Sequence, residues 1–426
     1  LGKKFLQAAR KEFVFSKEVE VVTLVNQVGA EIVEAIGEDP SRYHFFVVKQ
    51  EQMNAFAIPG GYIFLFEGLL KKLDSIDALA GVLAHEIAHV QQNHHFKDAK
   101  KMGAVDLATM AAIIAAALAG EGEAATSVIA PAANIALKLR FSRKNEEEAD
   151  FFAIKYLQRT RYDPTGLSDF FKTLAFYQRF TGTPILPYLS THPGVNERRF
   201  KVDAQVKNSP VQREVRNFEM WDWGRILTIL RAKEGDAVVS FFDRSGQERG
   251  RMTEERRHYL LGLSALKSGL LEKAQTEYQA AIRDNPDNPV YYADLAHIYM
   301  RRRQAAPAKE AALKSLQLSG DGASPHLVLG MIAQAEERHK KAIEHLEEAR
   351  SRSPNDPFIH LQLARSFHTI SMPVEEHFHL GRYFRLILEP EKALRQFHQV
   401  LLMIEEESPL GQKIKGEMEE IKREGI

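Results

Sequence analysis

The order of apolar and polar positions divides the chain into a mixed first half and a helical second half. Residues 1–40 carry apolar side chains at helical spacing and close at Gly37 and Pro40, which predicts a helix. Two strand-like runs follow, at 43–48 and 55–66. Helical spacing then returns in three segments: about 73–97, from 143 onward, and 163–181. The pattern predicts a mainly α (α+β) domain with one small sheet.

The second strand-like run contains Pro59, which cannot donate to a strand ladder and therefore favours an edge strand or a bend. An exposed edge strand can accept an extended peptide as an additional strand. The alternative is an ordinary hairpin. Where this run begins, Asn54, Ala55, Phe56 and Ala57 are our candidates for binding an extended polypeptide.

Residues 103–139 are dominated by alanine, with Ile, Leu and Met among them. The uncharged run at 107–120 is too short to cross a bilayer, which requires about 20 apolar residues. A buried helical hairpin is our prediction, because small side chains let helices approach closely. Contact with a membrane surface or an apolar substrate is the alternative.

The C-terminal part of the chain is an internal repeat. Ala274, Ala308 and Ala342 are each 34 residues apart, which is the period of tetratricopeptide (TPR) helix pairs. A further match at Ala393 is out of phase by 17 residues, as if 357–373 contributed one extra helix. Stacked helix pairs form a curved surface that suits peptides or partner proteins.

Three segments follow from these patterns: a first domain at 1–205, a helical connector at 206–250 and a TPR α-solenoid at 251–426. The 57 basic and 57 acidic side chains cancel, so no basic field indicates nucleic acid binding. Cysteine is absent, so any metal must be held by His, Asp or Glu. No signal peptide is recognisable, and because the sequence begins with Leu1 rather than methionine, a removed targeting segment remains open.

The candidate chemistry centres on His85, Glu86 and His89, which form an H-E-x-x-H motif within the 73–97 helix. Residues four apart lie on one helix face, so the two imidazoles can bind one metal ion. Glu86 is placed to act as a general base on a water molecule, as in zinc peptidases. A short motif also arises by chance, so the rest of the chain must supply what zinc chemistry still lacks.

Zinc in a catalytic site takes a third protein ligand, and an acidic helix beginning at 143 offers one. Glu146 and Asp150 share a face there. Glu146 could complete the site while Asp150 orients a ligand imidazole. An acidic helix N-terminus stabilised by the macrodipole is the rival explanation for Glu147 and Glu148.

A competing third ligand is His95, six residues after His89. That arrangement depends on a glycine turn at position 92, where this chain has Gln92. If the helix continues, His95 lies about 240° around from His89, on the wrong face. We therefore expect His94 and His95 to be solvated residues of the last turn.

A Thr-His-Pro segment contributes two more candidates. Alone it is ordinary turn chemistry. Beside a zinc site, His192 could cap the open coordination position or bind a transition-state oxyanion, and Arg198 could support it.

Together these features resemble one family, the metallopeptidases of HtpX and the CAAX prenyl protease, and most closely its BepA-like branch of soluble envelope proteins with TPR tails. The resemblance covers roughly 10–205, and the repeat extends it to nearly the whole chain. It is carried by four motifs: Asn54-Ala55-Phe56-Ala57 with Gly60-Gly61, His85-Glu86-x-x-His89, Glu146-x-x-x-Asp150, and His192-Pro193 followed by Arg198.

The resemblance implies a gluzincin-type helical domain and one zinc ion per chain, bound by His85, His89 and Glu146. It implies Glu86 as catalytic base, Asp150 as a supporting residue and His192 on a mobile loop that shields the site. Its setting would be periplasmic protein quality control, with the repeats docked on substrate or on outer-membrane assembly machinery, and at most peripheral membrane contact.

The predicted function is therefore zinc-dependent endopeptidase activity on unfolded or misassembled polypeptides. The rival is a TPR adaptor or chaperone whose zinc domain is structural or latent. Nickel or cobalt as replacements for zinc stay open, because the ligand set suits several divalent ions.

Overall fold

A computed structural model describes residues 13–94, 142–180, 188, 192–207, 220–232, 252–319 and 322–423. The chain divides into two compact units, Leu1–Leu230 and Arg231–Glu424. The boundary between them falls inside the 206–250 segment that we predicted as a connector. The alanine-rich segment at 103–139 and His95 lie outside the described residues.

The first unit combines a small sheet with helices. Its described elements are α1 (Val19–Ala35), β1 (His44–Val48), β2 (Ala55–Ile58), β3 (Tyr62–Phe66), α2 (Glu67–Leu70), α3 (Ile76–Gln91), α4 (Arg143–Leu157), α5 (Thr165–Phe180), α6 (Val195–Lys207) and α7 (Met220–Leu230). None of these helices, nor any other described helix, combines the length and apolar character that a membrane span needs.

The sheet confirms the bend predicted from Pro59, and the run at 55–66 forms the ordinary hairpin that was our alternative, with β2 buried instead of exposed. Its strand order is β1-β3-β2, with β1 parallel and β2 antiparallel to β3. Pro59 lies in the turn between β2 and β3, where Gly60 and Gly61 adopt φ angles of 101° and 85°. Such angles favour glycine. β2 is therefore an edge strand of this sheet.

The helix predicted over residues 1–40 is confirmed only in its second part. Around Phe15 the chain is extended and bridges to Val48 of β1. The Ser16 amide donates to Val47 (2.8 Å) and the Lys49 amide donates to Val14 (2.8 Å). The edge of β1 outcompetes local helical propensity here because it satisfies these backbone groups and buries Phe13.

Helix α3 forms the centre of the first unit. It begins at Ser75, whose hydroxyl accepts a hydrogen bond from the Ala78 amide (3.1 Å). Its residues from Ala78 to His89 are all buried. A glycine allows α5 to approach this helix closely, since a Cβ at Gly81 would lie 2.7 Å from the Leu167 nitrogen. The motif residues thus lie in a continuously buried stretch of α3.

The part of the predicted connector that forms α7 belongs to the first unit. Trp223 is buried and donates its indole N–H to the carbonyl of Leu73 (3.1 Å). Arg225 forms an ion pair with Glu20 of α1. These contacts hold α7 against α1 and against Leu73, which precedes α3.

The second unit is built from helices in its described residues: α8 (Glu254–Lys267), α9 (Leu271–Asp284), α10 (Pro289–Arg301), α11 (Ala305–Ser319), α12 (Ala323–Ala335), α13 (His339–Arg352), α14 (Pro357–Thr369), α15 (Pro373–Leu386), α16 (Pro390–Leu401) and α17 (Pro409–Arg423). Helices within a pair approach closely, with Gly262 under Tyr278 and Gly330 under Leu346. The TPR prediction is confirmed.

The backbone φ angles show the 34-residue repeat even where the side chains differ. Gly269, Arg303, Glu337 and Ser371 lie 34 positions apart, and each has a positive φ in the turn between two helices. This spacing identifies α14 and α15 as a fourth pair in phase with the first three. Helix α14 occupies the segment where we predicted an extra helix.

The sequence match at Ala393 is shifted by 17 residues because α15 takes part in two successive helix pairs. A second turn with positive φ, at Leu388, connects α15 to α16. Gly381 of α15 then packs under Phe397 of α16, as the glycines of earlier pairs do. Helix α15 is therefore the second helix of one pair and the first of the next, which shifts the sequence pattern by half a repeat.

Two buried histidines lie where the repeat changes phase. His360 Nε2 is 3.0 Å from the Pro354 carbonyl, so this nitrogen carries the hydrogen. His360 Nδ1 then accepts from His379 Nδ1 on α15, at 2.9 Å. On the other side of His379, Nε2 lies 3.7 Å from Glu347 of α13. The pKa of His360 is lowered to about 3, chiefly by burial, with His379 and Arg382 acting in the same direction and the Pro354 carbonyl opposing them.

We predict that acid selectively loosens this part of the array. The pKa of His360 is lower when folded than when unfolded, so the unfolded chain gains the proton first as the pH falls below about 6.5. Stability is then lost progressively down to about pH 3, by up to roughly 3 kcal/mol at pH 4. Hydrogen exchange of α14 and α15 at pH 7 and pH 4, corrected for intrinsic rates, measures this.

A His360→Gln variant keeps a donor for Pro354 but has no imidazole to titrate, so its acid sensitivity should be smaller. His368→Gln is the matched control on the same helix, because that side chain is 74% exposed. Equal acid sensitivity in the parent and in His360→Gln would contradict the prediction.

Candidate metal centre

Helix α3 presents His85, Glu86 and His89 on its buried side, each with no exposed surface. The Nε2 atoms of His85 and His89 are 3.0 Å apart. Burial keeps the pKa of His89 well below 6.5 although Glu146 opposes this effect, so the ring is neutral. Neutral imidazole is the form that binds a metal ion.

The third candidate ligand comes from α4. Ser142 caps this helix by accepting from the Asn145 amide (3.2 Å), and Glu146 follows, fully buried. Its Oε1 lies 3.4 Å from His89 Nε2, and its Oε2 lies 3.7 Å from His85 Nε2. The structure therefore brings Glu146 to the nitrogen atoms that the α3 imidazoles direct inward.

His192 completes a group of four. Its Nδ1 lies 3.1 Å from Glu146 Oε1 and 3.5 Å from His85 Nε2. Its ring stacks on Tyr188 at a centroid distance of 4.3 Å. Among the described residues, His85, His89, Glu146 and His192 form the group whose ligand atoms lie within 4.8 Å of one another.

Asp150 and Arg198 support this group from outside it. Asp150 Oδ1 lies 3.0 Å from His85 Nδ1. The Arg198 guanidinium donates from Nε and Nη2 to the two oxygens of Asp150, both at 2.7 Å, and from Nη1 to Glu146. Burial alone would raise the pKa values of both carboxyls, but Arg198 together with the neighbouring histidines outweighs burial and holds the pKa of each below its ordinary value.

Glu86 is held differently from the other carboxylates. Neither of its oxygens accepts a hydrogen bond from the described residues, although the Ala57 amide is near enough to lower its pKa slightly. Burial dominates and raises the pKa of Glu86, while His192 and His85 oppose that rise. His192 Nε2 is 3.7 Å from Glu86 Oε1. A buried carboxylate without firm partners is costly, and its raised pKa suits proton transfer.

The donor geometry fits a tetrahedral divalent cation. With bonds of about 2.0–2.2 Å, neighbouring ligand atoms of such an ion stand roughly 3.3–3.6 Å apart. The separations between the four side chains given above run from 3.0 to 3.7 Å. The Asp150 carboxylate near Nδ1 only accepts, which favours the His85 tautomer with its hydrogen on Nδ1 and its lone pair on Nε2, directed at the cluster. The residues therefore fit a zinc-type ion.

The expectation that His94 is solvated is wrong. Helix α3 ends at Gln91 instead of continuing to 97, and Asn93 adopts a φ of 53°. This left-handed residue turns the chain back, and His94 becomes fully buried. Its Nδ1 is 3.0 Å from His89 Nδ1, and its Nε2 is 3.1 Å from Glu148 Oε2. Asparagine just after a helix end was the available signal, because asparagine tolerates this conformation.

Glu148 is thus part of the site's surroundings, whereas Glu147 pairs with Lys201 at the surface (2.6 Å). The rival explanation of a merely acidic helix N-terminus therefore holds for Glu147 and is wrong for Glu148. Sequence reasoning could not separate these adjacent residues, because the distinction depends on where the turn after α3 places His94.

The candidate peptide-binding strand lies beside the site. The Phe66 amide donates to the Asn54 carbonyl (3.1 Å), so alternation along the antiparallel pair directs the backbone groups of Phe56 toward β3 and those of Ala55 and Ala57 away from it. The Ala57 amide faces Glu86. The side of β2 that faces away from β3 is therefore the side on which Glu86 lies, and the residues of β2 are buried.

Comparison with known proteins agrees with this geometry. Residues 22–205 match the profile of Peptidase family M48. These residues are therefore similar in sequence to an M48 peptidase domain. The matched range contains all four residues of the cluster together with Glu86, Asp150 and Arg198.

Two proteins that this chain resembles in sequence are peptidases by name. The chain is 24% identical over 301 residues to the beta-barrel assembly-enhancing protease of Escherichia coli, covering 70% of this chain and 61% of that protein. It is 30% identical over 190 residues to the mitochondrial metalloendopeptidase OMA1 of Schizosaccharomyces pombe, covering 45% and 54%. The chain thus spans between half and two thirds of the length of these relatives.

A tetratricopeptide repeat protein from Parabacteroides merdae aligns over 54% of this chain and 94% of its own, with 12% identity and a TM-score of 0.29. The finer assignment to the HtpX and CAAX prenyl protease branch stays a prediction.

We predict that replacing Arg198 destabilises the first unit. Arg198→Met leaves Asp150 and Glu146 as buried carboxylates without their counter-charge, which should cost about 3–5 kcal/mol and lower Tm by roughly 6–20 °C. The metal-free protein is heated while tryptophan fluorescence is recorded, since both tryptophans lie in the first unit.

Lys201→Met on the same helix is the control, because Lys201 is 62% exposed and pairs only at the surface with Glu147. A Tm for Arg198→Met no lower than that of the control would show that the buried carboxylates do not depend on this cation.

Proposed function

We propose that this chain is a zinc-dependent endopeptidase that cleaves unfolded or misassembled polypeptides. The observation that carries the proposal is the buried group of four metal-type ligands, next to a carboxylate that accepts no hydrogen bond from the described residues. The match of residues 22–205 to the profile of Peptidase family M48 supports it.

His85, His89 and Glu146 would hold the metal ion. A bound zinc ion would supply Lewis acidity, which polarises the scissile carbonyl group and makes a nearby water more acidic. Asp150 would keep His85 in the tautomer that leaves Nε2 free for the metal. Cobalt or nickel would suit the same three ligands.

Glu86 would act as the general base. One of its carboxylate oxygens accepts a proton from the attacking water, and the same oxygen returns that proton to the nitrogen of the leaving amine. The raised pKa of Glu86 favours the first of these transfers at neutral pH. Its burial keeps bulk water from competing for the proton.

The polypeptide would bind along β2. Its backbone would pair with the outward-facing groups of Ala55 and Ala57, and its carbonyl would come to lie near Glu86. Asn54 and Phe56 would complete the binding strand. Pairing through backbone atoms imposes little sequence preference, which suits extended, unfolded segments as substrates.

His192 would be displaced when substrate binds. In this structure it takes the fourth ligand position, where its Nδ1 approaches Glu146. A site closed by four protein ligands is typical of structural zinc, whereas catalytic zinc keeps one position open. We assign the closed arrangement to a resting state, and Arg198 maintains it by fixing Glu146. Once displaced, His192 could donate a hydrogen bond to the oxyanion.

The TPR array would bind a partner protein or substrate. The name of the Escherichia coli relative, a beta-barrel assembly-enhancing protease, supports a role in the bacterial envelope, in the periplasm, beside outer-membrane assembly machinery. The second candidate function is a TPR adaptor with a structural or latent zinc domain. The fourth ligand, His192, is the observation that favours it.

Glu86→Gln should abolish cleavage without loss of metal. Removing the general base is expected to lower kcat/KM by about 10²- to 10⁴-fold, while zinc content stays at that of the parent because Glu86 is not a ligand. Casein cleavage and zinc content are measured on the same samples, with Glu147→Gln as the surface control. Full activity of Glu86→Gln would remove Glu86 from the mechanism.

His192→Ala should cleave faster than the parent, because it opens the fourth position while leaving three ligands in place. We expect zinc to remain bound and kcat/KM for casein to rise several-fold. If the parent and both variants bind zinc and none of the three cleaves, the adaptor alternative is supported and the peptidase proposal fails.

A further inference from the structure

We infer that His94 and Glu148 are positioning residues for the metal ligand His89, and that they form a second support parallel to Asp150. This inference rests on the proposed function, since it assumes that a metal binds at His89. Its basis is a continuous chain of contacts from the cluster outward: His89 Nδ1 to His94 Nδ1 at 3.0 Å, then His94 Nε2 to Glu148 Oε2 at 3.1 Å.

The positions of the hydrogens in this chain follow from the acceptor at its end. The Glu148 carboxylate only accepts, so His94 must donate from Nε2. A neutral His94 then has its lone pair on Nδ1, which accepts from His89 Nδ1. His89 consequently has its own lone pair on Nε2, the atom that faces His85 and Glu146. In this arrangement His89 directs the lone pair of Nε2, the form that binds a metal ion, at the cluster.

Both α3 imidazoles are therefore oriented by a carboxylate, His85 directly and His89 through a second imidazole ring. His85 Nδ1 lies 3.0 Å from a carboxylate oxygen of Asp150. His89 reaches a carboxylate, Glu148, through the ring of His94. Imidazole ligands whose second nitrogen is hydrogen-bonded are held in one tautomer and orientation, and they become more basic toward the metal. His94 and Glu148 supply for His89 what Asp150 supplies for His85.

Geometry separates this role from metal binding by His94 itself. The contact of His94 is with Nδ1 of His89, the nitrogen on the side of the ring away from the cluster. His94 is fully buried and its ring is nearly perpendicular to that of His89, at an interplanar angle of 76°. The turn at Asn93 makes this approach possible, since a continued helix would carry His94 around α3.

The test compares zinc affinity of the full chain, measured by chelator competition, with the visible spectrum of the cobalt-loaded protein. His94→Leu removes the acceptor and should weaken zinc binding by about 10- to 100-fold. His94→Asn places an amide oxygen near the position of Nδ1, so it should recover most of that loss. The cobalt absorption bands should shift in His94→Leu and return toward the parent in His94→Asn.

A matched pair of glutamates tests the far end of the chain. Glu148→Ala should weaken zinc binding several-fold, whereas Glu147→Ala should not, because Glu147 points to the surface and pairs with Lys201. The Glu148 side chain is 34% exposed, so its removal tests the relay even if His94→Leu does not fold. Melting of the metal-free variants by tryptophan fluorescence identifies any loss of folding.

Parent-like zinc affinity in both His94→Leu and Glu148→Ala would overturn the inference and leave the proposed function intact. Equal weakening in His94→Leu and His94→Asn, with parent-like melting of both metal-free proteins, would also overturn it. A parent protein that binds no zinc would overturn the proposed function and the inference together.

Discussion

The compensation of charge around Arg198 is the constraint on which the rest of the site depends. Two carboxylates, Glu146 and Asp150, lie in a region without solvent, where each alone would be costly to ionise. A single planar guanidinium reaches both of them. Their ionised state in turn makes Glu146 a metal-type ligand and lets Asp150 orient His85. Helix α6, which carries Arg198, is therefore as much a part of the centre as the helix with the H-E-x-x-H motif.

Much of this fold could be predicted from the sequence because the residues that specify it recur at regular intervals. The spacing of His85 and His89 on an apolar helix, and the 34-residue interval of small residues, each repeat a local rule that few other structures satisfy. Glu146 and Asp150 could be paired with the site because a helix places them on one face. His192 and Arg198 came from chemistry that a zinc site still required, and the structure places both at the cluster.

The failures share a different cause, which is competition between local propensity and a tertiary partner. The stretch around Phe15 has helical spacing, but the open edge of β1 offers its backbone better hydrogen bonds. His94 looks like the end of a solvated turn until a left-handed Asn93 redirects it. The pair α14 and α15 lacks the alanine that marks the earlier repeats, since Glu376 stands at that position, so only its backbone shows that it is in phase. No periodic pattern contains this information.

The turns of the array carry one more consequence. Gly269 occupies the left-handed position in the first turn, whereas Arg303, Glu337, Ser371 and Leu388 occupy it in later ones. A side chain in this conformation costs on the order of 1 kcal/mol relative to glycine. Four turns of the array therefore carry backbone strain that glycine at the same position would relieve. The array is therefore less stable than the same architecture would be with glycine at these turn positions.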